Sequence, residues 1–195
     1  MYNINTGFWK KKSLSQYVLN EDSTLTFFAL FTLGIIAAVL HLHLRIKGLN
    51  IPGHHGVELM MVLLFGRMQS RYQWAGVMIA SGAAITYCMH AASVPMVFSV
   101  KPAIIYLLNA FCLDLLFRYT PSSLPVFLKG VIFGGLSYII KPVMRIPVAM
   151  YLGAEFGSIM KYGYLIPVLT HFVFGSIGAI CGIALANLVR NNKKR

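Results

Sequence analysis

The sequence predicts an all-α integral membrane protein, a bundle of about six transmembrane helices with a short second helix and both termini on the cytoplasmic side. Three observations predict it. Hydrophobic residues make up 57% of the chain and charged residues only 11%, where an ordinary soluble domain carries roughly 25% charge. The apolar residues are gathered into runs near the length of roughly 20 residues that crosses a bilayer. Lys and Arg, seventeen against five acids, sit between those runs and at the ends, with no basic amphipathic face. That distribution belongs to topology anchors beside anionic headgroups and argues against a nucleic-acid-binding surface.

Taken in order, residues 1–23 form a polar cytoplasmic segment containing Lys10, Lys11 and Lys12. The apolar run that follows, about 24–44, is too long for a signal-peptide core and lacks a small-x-small cleavage site, so it reads as a retained first helix. Next comes VELMMVLLFG, residues 57–66, between the loop RIKGLNIPGHHG and the basic stretch RMQSRYQ. It is too short to span alone. Further helices are expected over about 74–97, 102–117, 124–143 and 163–189, which makes 24–189 one transmembrane domain and leaves 190–195 as a basic cytoplasmic tail.

Basic residues decide whether the short segment crosses, because cytoplasmic loops are enriched in Lys and Arg. With six spans, ten bases share the side of the termini: Lys10, Lys11, Lys12, Arg67, Arg71, Arg118, Arg190, Lys193, Lys194 and Arg195. The other side holds six, namely Arg45, Lys47, Lys101, Lys141, Arg145 and Lys161, while Lys129 lies within the fifth helix. Without the crossing, the triple lysine and the terminal NNKKR would fall on opposite sides. Trp9, Tyr17, Tyr72, Trp74, Tyr119, Tyr138, Tyr162 and Tyr164 fall near the expected helix ends, where amphipathic rings prefer the headgroup level. Gly130-x-x-x-Gly134 and Gly178-x-x-x-Gly182, with Gly175 a turn earlier, have the spacing that lets helix backbones approach closely.

Ionisable and polar groups inside the spans are the candidates for function, because the bilayer makes them costly and drives them toward a cavity or one another. The topology puts Glu58, His90, Tyr106, Asn109 and His171 at similar depth near the outer face, with His54 and His55 in the loop above them. These seven residues are the expected ligand site, a pocket opening outward. Asp114 and Arg118 are four apart and are expected to pair along the fourth helix. Glu155 and Lys161 belong to a long outer segment, about 144–162, that could close as a lid or re-enter the membrane.

No cofactor or metal is expected. His41 and His43 are two apart and point to different faces of a regular helix. His55 and Glu58 would share a face only if the helix began before Pro52 or Gly53. HEXXH pairs, nucleophile elbows, paired catalytic carboxylates and phosphate loops are absent, and Cys88, Cys112 and Cys181 lie singly in apolar runs with no CxxC spacing.

The stretch GHHGVELMMVLLFGRMQSRYQWAGVMIASGAA, residues 53–84, resembles the second helix, tight basic turn and Gly/Ala-rich third helix of the substrate-binding S components of energy-coupling factor (ECF) transporters. LKGVIFGGLSYII, residues 128–140, resembles that family's Gly-rich fifth helix. The resemblance implies a plasma-membrane subunit that binds a vitamin-like nutrient from outside. It also implies docking to a transmembrane coupling subunit driven by two cytoplasmic ATPases, the S component itself hydrolysing nothing. The family's helix-1 Ala-x-x-x-Ala signature is replaced here by Gly34-x-x-x-Ala38, with Ala29 and Ala37 beside it, and the resemblance makes these four the expected docking face. The alternative function is a membrane-embedded haem- or metal-dependent redox protein using intramembrane histidines such as His90 and His171.

Overall fold

The computed structural model describes residues 23–43, 51–93, 101–120, 123–152 and 161–192. Helices run over α1 (Ser23–His43), α2 (Gly56–Gln69), α3 (Ala75–Ser93), α4 (Lys101–Tyr119), α5 (Val126–Tyr138), α6 (Ile140–Leu152) and α7 (Leu165–Asn192). No strand occurs among the described residues. Among the described residues, four stretches are long and apolar enough to cross a membrane: Thr24–His43, Ala75–Ala92, Val126–Pro147 and Leu165–Asn192. The third joins α5 to the start of α6 across a single turn residue, Ile139. The 14 residues of α2 reach only about 21 Å at 1.5 Å per residue.

What faces outward supports lipid as the solvent. On α7, Leu169, Val173, Ile177, Ile180 and Leu188 are exposed, while the buried side carries His171, Gly175, Gly178, Gly182 and Ala186. Large apolar side chains outside and small residues inside reverse the pattern of a water-soluble bundle. It suits a helix whose outer face meets lipid tails and whose inner face needs close backbone approach. The same division runs along α1. Phe28, Thr32, Ile36 and Leu40, four apart, are exposed, whereas Thr26, Leu30, Gly34 and Ala38 are buried.

Small-residue seams hold the bundle together. The α2–α7 seam is made by Gly178 against the Val57 carbonyl and Gly182 against the Met61 carbonyl, and the α5–α7 seam by Gly134 against Ala179 and Gly175. On α1 and α3, Gly34 lies against the Ile79 carbonyl and Gly82 against the Phe31 carbonyl. A side chain at any of these glycines would meet backbone or a packed neighbour and force the helices apart. The core they enclose joins Leu30 of α1, Met60, Leu63 and Leu64 of α2, Ile79 of α3, Leu113 of α4, Phe133 of α5 and Ile183 of α7.

The expected Asp114–Arg118 pair is not formed. Asp114 is fully buried and is paired with Arg67, from the end of α2. It also accepts the backbone N–H groups of Gly76 at 3.3 Å and Val77 at 2.9 Å. The physical reason is the start of α3, where unpaired N–H groups form a site for a carboxylate, and Gly76 has no side chain to hold Asp114 away. Arg67 also donates to the Gln73 carbonyl at 2.9 Å and lies over the Phe117 ring. Arg118, one turn further along, is exposed and lies over Trp74.

Candidate functional site

The chain turns between α1 and α2 through residues 51–55, and the turn is seated by two glycines. Gly53 has φ +89°, a conformation side chains rarely adopt, and an added Cβ would lie 2.9 Å from His171 Nδ1. A Cβ at Gly56 would run into the Tyr138 ring. The IPGHHG sequence thus lets the turn sit flush on α5 and α7. Its backbone is already helical at His55, at φ −65° and ψ −10°, with hydrogen bonds from Gly56 N to the Gly53 carbonyl and from Leu59 N to the His55 carbonyl.

Helical geometry at His55 corrects the expectation that His55 and Glu58 do not share a face. They do, and His41 from the last turn of α1 joins them. His41 Nδ1 lies 2.6 Å from Glu58 Oε2, and its ring is 4.7 Å from that of His55, centroid to centroid. The His54 and His55 rings are 3.8 Å apart, with His54 Nδ1 2.8 Å from the Ile51 carbonyl. Tyr87 of α3 donates its hydroxyl to that of Tyr106 of α4 at 3.1 Å, and both rings lie edge-on to His41, at 6.0 and 6.4 Å. Of the seven expected site residues, His54, His55, Glu58 and Tyr106 therefore meet in one cluster.

The other three are placed differently. His171 is buried under the same turn, stacked 5.0 Å from Tyr138 with Nδ1 2.6 Å from the Pro167 carbonyl. Asn109 is fully buried one helical turn along α4 from Tyr106. His90 is exposed near the end of α3. His171 lies against Tyr138 and Gly53, and α7 packs chiefly on α2, α5 and α6. Sequence reasoning missed Tyr87 and Tyr138, and weighed His41 only for the redox alternative. The available signal was position: each lies in the half of its helix that the six-span topology puts at the level of the PGHHG turn.

Several buried polar atoms here have no hydrogen-bond partner among the described residues: His54 Nε2, His171 Nε2, and both Nδ2 and Oδ1 of Asn109. Each such atom costs about 1–3 kcal/mol unless something else satisfies it. The two described carboxylates sit at opposite ends of α2, Glu58 beside His41 and Asp114 beside Arg67. Paired-carboxylate catalysis thus finds no arrangement among the described residues.

The residues of the expected docking face fall in two environments. Gly34 and Ala38 are buried on the α3 side of α1, with Gly34 against the Ile79 carbonyl, so they are used within the chain. Ala29 and Ala37 are half-buried. Residues 153–160, including Glu155, lie outside the described residues, while 140–152 of the expected outer segment is helix α6. Comparison with protein-family models, curated proteins and solved structures returns no match.

Proposed function

We propose that the chain is the membrane-embedded binding subunit of a nutrient importer, of the S-component type that its 53–84 and 128–140 stretches resemble. In this reading it has six spans, both termini lie in the cytoplasm, and the histidine-rich turn faces outward. The observation that carries it is the gathering of His41, His54, His55, Glu58, Tyr87 and Tyr106 from α1, the turn, α2, α3 and α4 at one end of the bundle. Donors and acceptors converging from several helices in an apolar host suit ligand capture, and the absence of a phosphate-loop motif from the sequence suits a subunit whose energy comes from partner ATPases.

A coupling subunit would meet the side of α1 that the described residues leave open. Phe28, Thr32, Ile36 and Leu40 form that stripe, and α1 is the least buried of the four candidate spans. Two experiments test the proposal. Cysteines placed at Ile51 should react with an impermeant reagent in intact cells, while those at Gln73 and Asn192 should need permeabilisation; reaction at Gln73 in intact cells sinks the six-span topology. Affinity purification from the native membrane should retain a coupling subunit and two ATPases, and a chain that moves its ligand across vesicles unaided would refute the subunit role.

A further inference from the structure

We propose that His41, His55 and Glu58 form a binding site for a divalent transition-metal ion of the zinc, nickel or cobalt type. One donor atom from each residue lies within 4.8 Å of the other two. Bonds to such an ion are about 2.0–2.2 Å, which sets its donors roughly 3–4 Å apart, so side-chain rotations that move a donor by about an ångström close the trio on an ion. The three come from separate places on a rigid frame. His41 ends α1, which Gly34 locks to α3. His55 is fixed by the Gly53 turn and Glu58 by the first turn of α2.

Three imidazoles crowd the site, His41 against His55 at 4.7 Å and His54 against His55 at 3.8 Å. A metal ion would take the lone pairs of neutral imidazoles and set one carboxylate against its double charge. Two imidazoles and one carboxylate suit zinc, nickel or cobalt, whereas magnesium and calcium prefer all-oxygen shells.

Three protein ligands leave coordination positions open, as in exchangeable sites and unlike the closed four-ligand shells of structural zinc. The Tyr87 and Tyr106 hydroxyls, paired beside His41, can hydrogen-bond water on the ion. Glu58 and His41 are only partly buried, so the ion has a route in and out. That the ion is the cargo rests on the binding-subunit reading above; that it binds does not.

The test is titration of the chelator-treated, detergent-purified full chain with Zn²⁺ by calorimetry and with Co²⁺ by visible absorption. Zinc should bind at one equivalent per chain without competition from Mg²⁺, and Co²⁺ should develop ligand-field bands that Zn²⁺ abolishes. His41→Gln, His55→Gln and Glu58→Gln should each weaken Zn²⁺ binding by on the order of 100-fold, since even outer-shell changes cost 10–100-fold. His43→Gln, whose exposed ring only meets its own helix at the Val39 carbonyl, should change nothing. Failure of the native chain to take up Zn²⁺ overturns the site. So does native affinity in a triple variant whose melting curve shows it folded. A chain that binds zinc as expected but associates with no coupling subunit overturns the transport reading and leaves the metal site standing.

Discussion

The two ends of α2 solve the same problem in opposite ways. At its C-terminal end a buried carboxylate, Asp114, has a guanidinium and two backbone N–H groups, and the guanidinium has in turn a backbone carbonyl and the face of Phe117. At its N-terminal end His54 Nε2 and, beneath the turn, His171 Nε2 have no partner among the described residues, and three imidazoles crowd together beside a single carboxylate. Saturation marks the first as structural, because an ion pair in an apolar host survives only when its charges and hydrogen bonds are met. The second is the cluster on which the binding-site proposal rests.

Breaking the saturated end should give the largest effect. Asp114→Ala leaves the Arg67 guanidinium buried without its counter-charge, and uncompensated buried charges cost about 3–5 kcal/mol. A thermal or denaturant melt in detergent should show a loss of that order, while the molecules that remain folded keep native Zn²⁺ affinity. A melt within experimental scatter of the parent would mean that the pair is not the structural clamp described here. Gly34→Leu should come next. Its side chain would enter the Ile79 carbonyl, and overpacking typically costs about 1–3 kcal/mol. The expected outcome is lower yield and melting temperature, with ligand binding lost only in step with folding. A well-folded variant that fails only to associate with a coupling subunit would return Gly34 to an outward docking role.

At the unsaturated end the order of effects reverses. His41 and Glu58 are partly exposed, where ion pairs contribute about 0–1 kcal/mol. Glu58→Gln should therefore shift the melt of the metal-free protein little while lowering metal affinity strongly. Zinc should also raise the melting temperature of the native chain, because a ligand that binds only the folded state stabilises it, and should leave that of Glu58→Gln unchanged. A destabilised metal-free Glu58→Gln with native zinc affinity would make this end structural as well, and the contrast between the two ends would disappear.

Sequence made the helices legible because lipid imposes a one-dimensional signal: each apolar run is also an element, and the expected and observed ends of α1, α3 and α7 differ by a few residues. The Gly-x-x-x-Gly seams were legible for the same reason, since close approach admits few residue types. Pairing across helices was not. Asp114 had a local partner in Arg118 at helix spacing, and nothing in the order of residues revealed that Arg67, 47 positions away, would reach it first. Likewise His41 looked unable to ligate because its sequence neighbour His43 faces elsewhere, while its actual companions, His55 and Glu58, come from beyond a turn. One conformational detail, the helical backbone of His55 before the first residue of α2, brings His55 and Glu58 together where the sequence argued against it, and His41 joins them.

Asn109 gives the smallest expected effect and the sharpest reading of the comparison. It is fully buried, at 0% accessibility, and among the described residues neither end of its carboxamide has a partner. If it stays so in the membrane, Asn109→Leu exchanges an unsatisfied amide for an apolar side chain of similar size. Removing a penalty of about 1–3 kcal/mol should then hold or raise the melting temperature. It lies one turn along α4 from Tyr106, so a ligand or water entering from the cluster would be the group that satisfies it. In that case the leucine variant should be as stable as the parent or more so without ligand, yet lose part of the stabilisation that ligand confers on the parent. Melts of parent and variant, each with and without Zn²⁺, separate the outcomes. An equal zinc-induced shift in both confines the site to the histidines and Glu58, a smaller shift in the variant extends it down α4 to Asn109, and a variant that melts well below the parent without zinc would show that the amide has a structural partner after all.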